Sequence, residues 1–388
     1  MIPLQRPAFT GQELENVKTS LVKGSLAGQA AYTTKCEQWL ERSMSAGKAF
    51  LTTSCTASLE MAALILDIQP EDEVILPSYT YVATVNAFIL RGAVPVFVDV
   101  EPGTMNMDVS CAKAAITTKS RVIVPVHYGG VACDMDAVMD LAHQHDLFVV
   151  EDAAQAICST YKGRALGTIG DIGCLSFHET KNVTAGGQGG ATLVNKDSLL
   201  DRAEIVHDCG SDRARFRRGE IKHYQWQDIG ANFLLSEILA SVLWAQLEAI
   251  DDVQRRRHAL WKSYEHALRP LATDGRINLL NIPVGCDHNA HIFWFKLQST
   301  EQRDEFMRHM KARGVSTAPH YSPLHSTSAG LSLGRFHGKD VNTTTESARL
   351  VRLPLYTEMS QEEVTKVLTS TNAFFEMANS GDKNGGLS

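Results

Sequence analysis

The sequence predicts an α/β protein: a large domain built on a mainly parallel sheet with flanking helices, followed by a smaller α+β domain. Three observations predict it. Short apolar runs bounded by turn residues or charges recur along the first part of the chain. Segments with helical spacing fill most of the gaps between them. Beyond about residue 230 the texture changes to longer helical stretches and scattered strand-like pieces. Strand alternating with helix is the pattern of a parallel sheet whose crossovers cover both of its faces.

The elements follow in order. Strands are expected at Phe50–Thr52, Glu73–Leu76, Val94–Val98, Arg121–Val126 and Leu147–Val150, each apolar and rich in β-branched residues or Phe and Leu. Helices are expected at Ala57–Ile65, Val82–Leu90 and Met135–His143. A further strand leads through Ser176 and Phe177 towards Lys181. Ser236–Ile250 reads as one long helix continuing past Asp251 and Asp252 to Leu268, a connector between domains. An extended stretch at His291–Leu297, a helix at Glu301–Arg313 and strand-like pieces near Val315 and Leu353 complete the smaller domain. The expected division is 1–250, with the N-terminal segment free to join the smaller domain, then 251–376. The tail, 377–388, ends in a Gly-, Asn- and Ser-rich run and is expected to be disordered.

Composition narrows the function. The 388 residues are 44% hydrophobic and 21% charged, ordinary for a soluble enzyme with a substantial core. The net charge of −7 argues against general nucleic-acid or membrane-surface binding. No run is long enough to span a bilayer, and Met1–Pro7 lacks the apolar core of a signal peptide, so a cytoplasmic location is expected. The eight cysteines are scattered with no zinc-ligand spacing, so no metal site is expected and the thiols read as reduced.

Two segments carry the chemistry. Leu147–Gln155 begins as a strand and ends in Glu151-Asp152-Ala153-Ala154-Gln155; Ser176–Asn182 ends in a lysine, Lys181. Strand ends on a parallel sheet are where α/β proteins place ligands. A carboxylate and an amine delivered to one rim suit pyridoxal phosphate. The amine condenses with the aldehyde, and the carboxylate keeps the pyridine nitrogen protonated. Upstream, Ser54-Cys55-Thr56-Ala57-Ser58 lies at a strand-to-helix junction, where free N–H groups and the hydroxyls of Thr56 and Ser58 could cradle a phosphate. Ser176 could face the same phosphate, and Tyr81 could stack on a ring. Gly186, Gly187, Gly189 and Gly190 match no Walker motif and would let the backbone pass close to a cofactor or a partner subunit. The run Arg213–Arg218 reads either as a solvated loop or as an anion clamp. His320, Tyr321 and His325 share one loop that reads either as a substrate lid or as a surface turn.

Taken together, Glu151–Gln155, Tyr161–Arg164, Gly170–His178 and Lys181 resemble the nucleotide-sugar aminotransferases of the DegT/DnrJ/EryC1/StrS family, and the resemblance runs from about Pro3 to Phe375. It implies a fold-type I pyridoxal-phosphate enzyme. Lys181 would hold the cofactor covalently and later move a proton, Asp152 would pair with the ring nitrogen, and Gln155 would bond the phenolic oxygen. Tyr81 would stack on the ring, and Cys55, Thr56 and Ser176 would line the phosphate cup. Asn232 matches a family position that completes the cup of the neighbouring subunit, so the resemblance implies a homodimer with shared active sites. His178, Arg215, His320, Tyr321 and His325 would meet the substrate. Ser54–Leu64 and Phe177–Asn182 are similar to family members that aminate C4 of dTDP-4-keto-6-deoxyglucose with glutamate. The product is dTDP-4-amino-4,6-dideoxygalactose, destined for cell-surface polysaccharide such as enterobacterial common antigen. One departure stands out: the family's usual Gly-Glu-Gly-Gly has Gln188 at its centre here.

Alternatives remain at this point. Sugar dehydratases of the same family replace the lysine with histidine, and Lys181 argues against them. Amination at C3, a gluco product or a GDP-linked sugar is open. A non-catalytic nucleotide-sugar or cofactor sensor is disfavoured by the intact Lys–Asp pair.

Overall fold

Two N-terminal helices, α1 (Glu13–Lys23) and α2 (Ala31–Met44), precede the first strand. Their apolar residues are too sparse to have marked them in the sequence. In this computed structural model, which describes residues 1–382, α1 and α2 both pack on a later helix, and Tyr32, Cys36, Leu40 and Met44 of α2 enter the core.

The large sheet begins with β1 (Lys48–Thr52), α3 (Cys55–Ile65), β2 (Glu73–Pro77), α4 (Val82–Ile89), β3 (Val94–Val98), α5 (Val109–Ala115), β4 (Ser120–Ile123), α6 (Met135–His145) and β5 (Phe148–Asp152). After a small hairpin, β6 (Thr160–Tyr161) and β7 (Arg164–Ala165), come β8 (Ile172–Ser176) and β9 (Gly190–Val194). The sheet order is β1-β9-β8-β5-β4-β2-β3, with β13 (Arg335–Phe336) from the later chain at the far edge. Strand β9 runs antiparallel to both neighbours; the other pairings are parallel. The sheet is therefore mainly parallel and covered by apolar clusters on both faces, which is why its central strands are buried along their length.

Helix α3 shows how this sequence makes its turns. Ser54 sits in extended backbone and its hydroxyl accepts from Ala57 N at 3.0 Å, a side-chain N-cap. The helix is apolar nearly all round because it lies between β8, β9 and neighbouring helices.

Helices α7 (Leu200–His207) and α8 (Arg213–Arg217) lead to α9 (Glu237–Glu248) and α10 (Ile250–Thr273). The single long helix expected here is two, broken at Ala249 (φ −101°, ψ 8°). Each part buries its stripe in a different core. Ala240, Leu243 and Leu247 join the sheet's core, whereas Trp261, Tyr264 and Leu268 join a second one. Pro270 lies inside α10 rather than after it, and two short strands follow, β10 (Asn278–Leu279) and β11 (Cys286–Asp287). The second core also holds Phe293 and Phe295 of β12 (Phe293–Lys296), Phe306 of α11 (Thr300–Ala312), and Val351 and Leu353 of β14 (Leu350–Leu353). Ile2 enters this core as well, its backbone bonded to Gly314 and Ser316. The final helix, Gln361–Asp382, runs into the segment expected to be disordered, carried on from turns anchored by Val364, Val367 and Phe375. Residues 383–388 of that segment lie outside the described residues.

No helix among the described residues is long and apolar enough to cross a membrane.

Candidate active site

A cavity of about 390 Å³ opens at the carboxyl edge of the large sheet. It collects the ends of β1, β2, β5 and β8, the start of β9, and three contributions from the C-terminal region: His291, the loop at His320 and Tyr321, and Arg352 of β14. Parallel strands end there together, so residues far apart in sequence meet. Cys55, Thr56, Tyr81, Asp152, Gln155, Ser176, His178, Lys181, His320 and Tyr321, all expected site residues, line this one cavity.

Asp152 ends β5 and is buried. Its Oδ2 accepts from Thr84 Oγ1 at 2.7 Å and its Oδ1 from Ala154 N at 3.1 Å. Thr80 Oγ1 lies 2.8 Å from Thr84 Oγ1, so a hydroxyl relay from α4 orients the carboxylate. Its neighbour Glu151 is used otherwise. Glu151 accepts from the N–H groups of Gly167, Ile169 and Gly170 and bonds His127 Nε2 at 2.9 Å. Burial opposes its charge, but His127 and the backbone donors outweigh burial and hold the carboxyl below its ordinary value. Of two adjacent carboxylates, one is a loop anchor and the other faces the cavity.

Lys181 follows β8 in a loop that folds back on itself. Its N–H bonds His178 O at 2.9 Å, Glu179 N bonds Gly187 O at 2.9 Å, and Phe177 N bonds Gly189 O at 2.8 Å. The Lys181 ammonium has no hydrogen-bond or ion-pair partner among the described residues. Burial lowers its pKa, while the Asp152 carboxylate opposes that shift. The result is an amine tuned towards its neutral, nucleophilic form. His178 Nδ1 accepts from Thr180 N at 3.2 Å, which leaves its proton on Nε2, and burial, then Lys181, lower its pKa.

The other end of the cavity suits an anion. Cys55 and Thr56 begin α3, where first-turn N–H groups have no intrahelical acceptor. Ser176 adds a hydroxyl. Gly190 permits the approach of β9: a Cβ there would lie 2.5 Å from Ser54 C and 2.6 Å from Cys55 N. Burial pushes the Cys55 thiol up, so it is an uncharged wall.

Gln155 Oε1 accepts from Gly129 N at 2.7 Å and its Nε2 donates to Tyr321 OH at 2.8 Å. An amide nitrogen has two hydrogens, so one is left for a ligand. Tyr321 stacks on His320, and His320 Nδ1 lies 2.8 Å from Tyr128 OH. Tyr81 stands at the mouth, 57% exposed, with its ring 6.2 Å from that of Tyr321. A lone amine, a buried carboxylate, a ring-facing amide and an anion cradle are the donor set for a phosphorylated pyridine aldehyde.

Four expected groups lie elsewhere. Ser58 is buried against Thr52, with hydroxyls 2.6 Å apart, and does not reach the cavity. His325 bonds Ser78 Oγ at 2.6 Å and pairs with Asp340 at 3.2 Å, pinning its loop to the strand end rather than facing the cavity. Arg215 pairs with Glu220 at 3.2 Å. The rest of the basic run is likewise engaged, Arg213 and Arg217 with buried Asp208 and Arg218 with Glu204 and Glu220, so it is not a free anion clamp within this chain. Asn232 is exposed, bridged to Asp208, and outside its own chain's cavity.

Sequence reasoning missed Thr84, His127, His291 and Arg352, all of which line the cavity. None lies in a motif. Thr84 lies about one helical turn after Tyr81, the single positional signal the sequence offered for it; His291 and Arg352 arrive only through the packing of the C-terminal region.

The chain matches the model of the DegT/DnrJ/EryC1/StrS aminotransferase family over residues 7–372. It is 32% identical over 380 residues to GDP-perosamine synthase of Escherichia coli O157:H7, covering 96% of this chain and 98% of that protein. It is 32% identical over 378 residues to the spore coat polysaccharide biosynthesis protein SpsC of Bacillus subtilis (strain 168), covering 95% of each. A Streptococcus pneumoniae protein solved in its PLP-form superimposes with a TM-score of 0.86 at 26% identity, covering 97% of this chain and 99% of that one.

Proposed function

The chain belongs to the DegT/DnrJ/EryC1/StrS aminotransferase family and is a pyridoxal-phosphate-dependent sugar aminotransferase, and on that premise we propose that it aminates C4 of dTDP-4-keto-6-deoxyglucose with glutamate as donor. The product is dTDP-4-amino-4,6-dideoxygalactose, made in the cytoplasm for a cell-surface polysaccharide. One observation carries the chemistry: the partnerless ammonium of Lys181 and the oriented carboxylate of Asp152 face one cavity at the ends of neighbouring strands.

When bound, the cofactor supplies an electron sink for the pair left at a carbon that loses its proton. This chain's residues do the rest. Lys181 would hold the aldehyde carbon of the cofactor, and its free Nζ would carry a proton to and from the donor's α-carbon. Asp152, oriented by Thr84, holds a proton on the ring nitrogen. Gln155 gives its remaining N–H to the phenolic oxygen. Tyr81 covers the ring, and the first turn of α3 with Ser176 binds the phosphate. The partner subunit's Asn232 completes that cup in a homodimer, and His178, His320 and Tyr321 meet the sugar.

The GDP-perosamine synthase relative favours a second reading, a GDP-linked keto-sugar at the same site. Incubation with glutamate and either dTDP-4-keto-6-deoxyglucose or GDP-4-keto-6-deoxymannose, followed by NMR of the product, tests both. An amine at C4 of the dTDP sugar, with couplings of the galacto isomer, is expected. Turnover of the GDP sugar alone would replace the first reading with the second.

A further inference from the structure

Strand β14 carries a cation to the cavity wall. Val351 and Leu353 are buried in the second core, and side chains alternate between the faces of a strand, so Arg352 between them turns the other way. That face meets the rim of the large sheet: Trp294, paired with Arg352 across β12, packs with Tyr79 and Tyr128. Arg352 lines the cavity and is half-buried. Its backbone N–H bonds Ala318 O at 2.8 Å, and its Nε and Nη2 donate to Pro319 O at 3.3 and 3.2 Å. Backbone and guanidinium both grip the segment that leads into His320 and Tyr321, so the side chain is held in place by the chain itself.

This charge has no counter-ion. No carboxylate pairs with Arg352 among the described residues, and Pro319 O takes only two of its five N–H groups. Nη1 keeps both hydrogens and Nη2 keeps one, the end-on fork that matches the two oxygens of a carboxylate. The other charged side chains of the wall are accounted for. His127 is paired with Glu151, and Asp152 and Lys181 serve the cofactor in the proposed function. His320, next to Pro319, adds no second cation: burial first, and then Arg352, hold its pKa well below the ordinary value. With the cofactor in place, the wall keeps one unpaired guanidinium.

We propose that Arg352 binds the α-carboxylate of the amino donor, a contact made in one half of the reaction only. The donor carries this carboxylate on the same carbon that gives up its proton to Lys181. A nucleotide sugar has no anion on the carbon that is aminated; its diphosphate lies several bonds away, beyond the sugar ring. A fixed cation in a wall shared by both substrates therefore tells them apart. It holds an amino acid by two charge-assisted hydrogen bonds and leaves the sugar to neutral groups such as His320 and Tyr321. No bond is made or broken at Arg352. The proposal rests on the reading that Lys181 holds the cofactor in this cavity.

Two variants separate charge from fork. Arg352→Met keeps much of the apolar stem and removes the charge; Arg352→Lys keeps the charge and removes the fork. Single turnovers of the pyridoxal-phosphate-loaded protein are followed by absorbance as the cofactor passes to its amine form. The substrates are L-glutamate, L-glutamine, and dTDP-4-amino-4,6-dideoxygalactose or its GDP-linked counterpart, an amine without a carboxylate. Apparent affinity for both amino acids should fall about ten- to a hundredfold in Arg352→Met and less in Arg352→Lys, while the amino-sugar reaction changes far less. Titration calorimetry with glutarate, the donor without its amine, reads the contact free of turnover, and binding should weaken about tenfold in Arg352→Met. A variant matching wild type both with glutamate and with glutarate overturns the proposal. A loss that glutamine escapes also overturns it, by moving Arg352 to the donor's side-chain carboxylate. Equal losses with amino acid and amino sugar, tracking a lowered melting temperature, make Arg352 a support for the Pro319 segment instead. A loss confined to the amino sugar reassigns it to the diphosphate. If wild type itself does not react with glutamate, the proposed function loses its donor, while glutarate binding still reports on Arg352.

Discussion

Thr84 Oγ1 donates a 2.7 Å hydrogen bond to Asp152 Oδ2 across a sequence separation of 68 residues. The hydroxyl belongs to a helix that follows the second strand of the sheet, and the carboxylate ends the fifth strand. Asp152 therefore has its direction set before any ligand arrives.

Thr84→Val should remove that bond while keeping the side-chain shape. Loss of a donor to a buried carboxylate costs about 1–3 kcal/mol. Denaturant unfolding should show this loss, and cofactor affinity should fall with it. Thr84→Ser should restore both, since it keeps the hydroxyl. A Val variant with unchanged affinity would show that Asp152 needs no orienting donor.

Lys181 should be the attachment point of the cofactor. Borohydride reduction followed by peptide mapping should find the adduct there, and Lys181→Ala should lose turnover. Asp152→Asn should fold normally and lose at least about a hundredfold in turnover, since an amide supplies no negative charge to the ring nitrogen. Near-normal turnover in Asp152→Asn would remove Asp152 from its proposed role.

The cofactor-free protein should grow more stable with rising alkalinity at Lys181. Burial lowers its pKa in the folded chain, whereas an unfolded lysine keeps its proton to about pH 10.4. Between those values the unfolded state binds more protons, so stability rises with pH; below them, a buried charge is a standing penalty. Cofactor-free Lys181→Met should accordingly melt higher than wild type at neutral pH, with the gap narrowing as the pH approaches 10. A gap that is independent of pH would assign the stabilisation to methionine packing alone.

Shared active sites predict complementation. Lys181→Ala and Asn232→Asp proteins should each be inactive, the second because its new carboxylate repels the phosphate. Mixed and allowed to exchange subunits, they should recover about a quarter to a half of wild-type activity, from one intact site per hybrid dimer. Demonstrated exchange with no recovery would confine Asn232 to its own chain or exclude it from the site.

Strands β1, β2, β3, β4, β5 and β8 were legible because each is a short apolar run between punctuating residues, and Asp152 and Lys181 because they close such runs; β9, whose glycine-rich entry masks it, and the two-residue edge strand β13 were not. The N-terminal helices were not legible, since α2 buries only a narrow stripe against a helix some two hundred residues away. The break at Ala249 was hidden as well. Both halves are helical by spacing, and only the presence of two cores, one for each half, separates them.

Period and punctuation in the sequence by themselves determined the fold class, the rim where the chemistry sits and the pair of residues that defines it, because these depend on local pattern. Tertiary structure decided what each polar group does there. It turned Glu151 onto a loop and Asp152 into the cavity, because adjacent strand residues face opposite sides. It drew His325 to Ser78 and the basic run to its own acidic neighbours, because an unpaired polar or charged group takes the nearest partner that packing presents. It also brought His291 and Arg352 into the cavity that Lys181 faces, a placement set by how the C-terminal region docks on the sheet and written in no local motif.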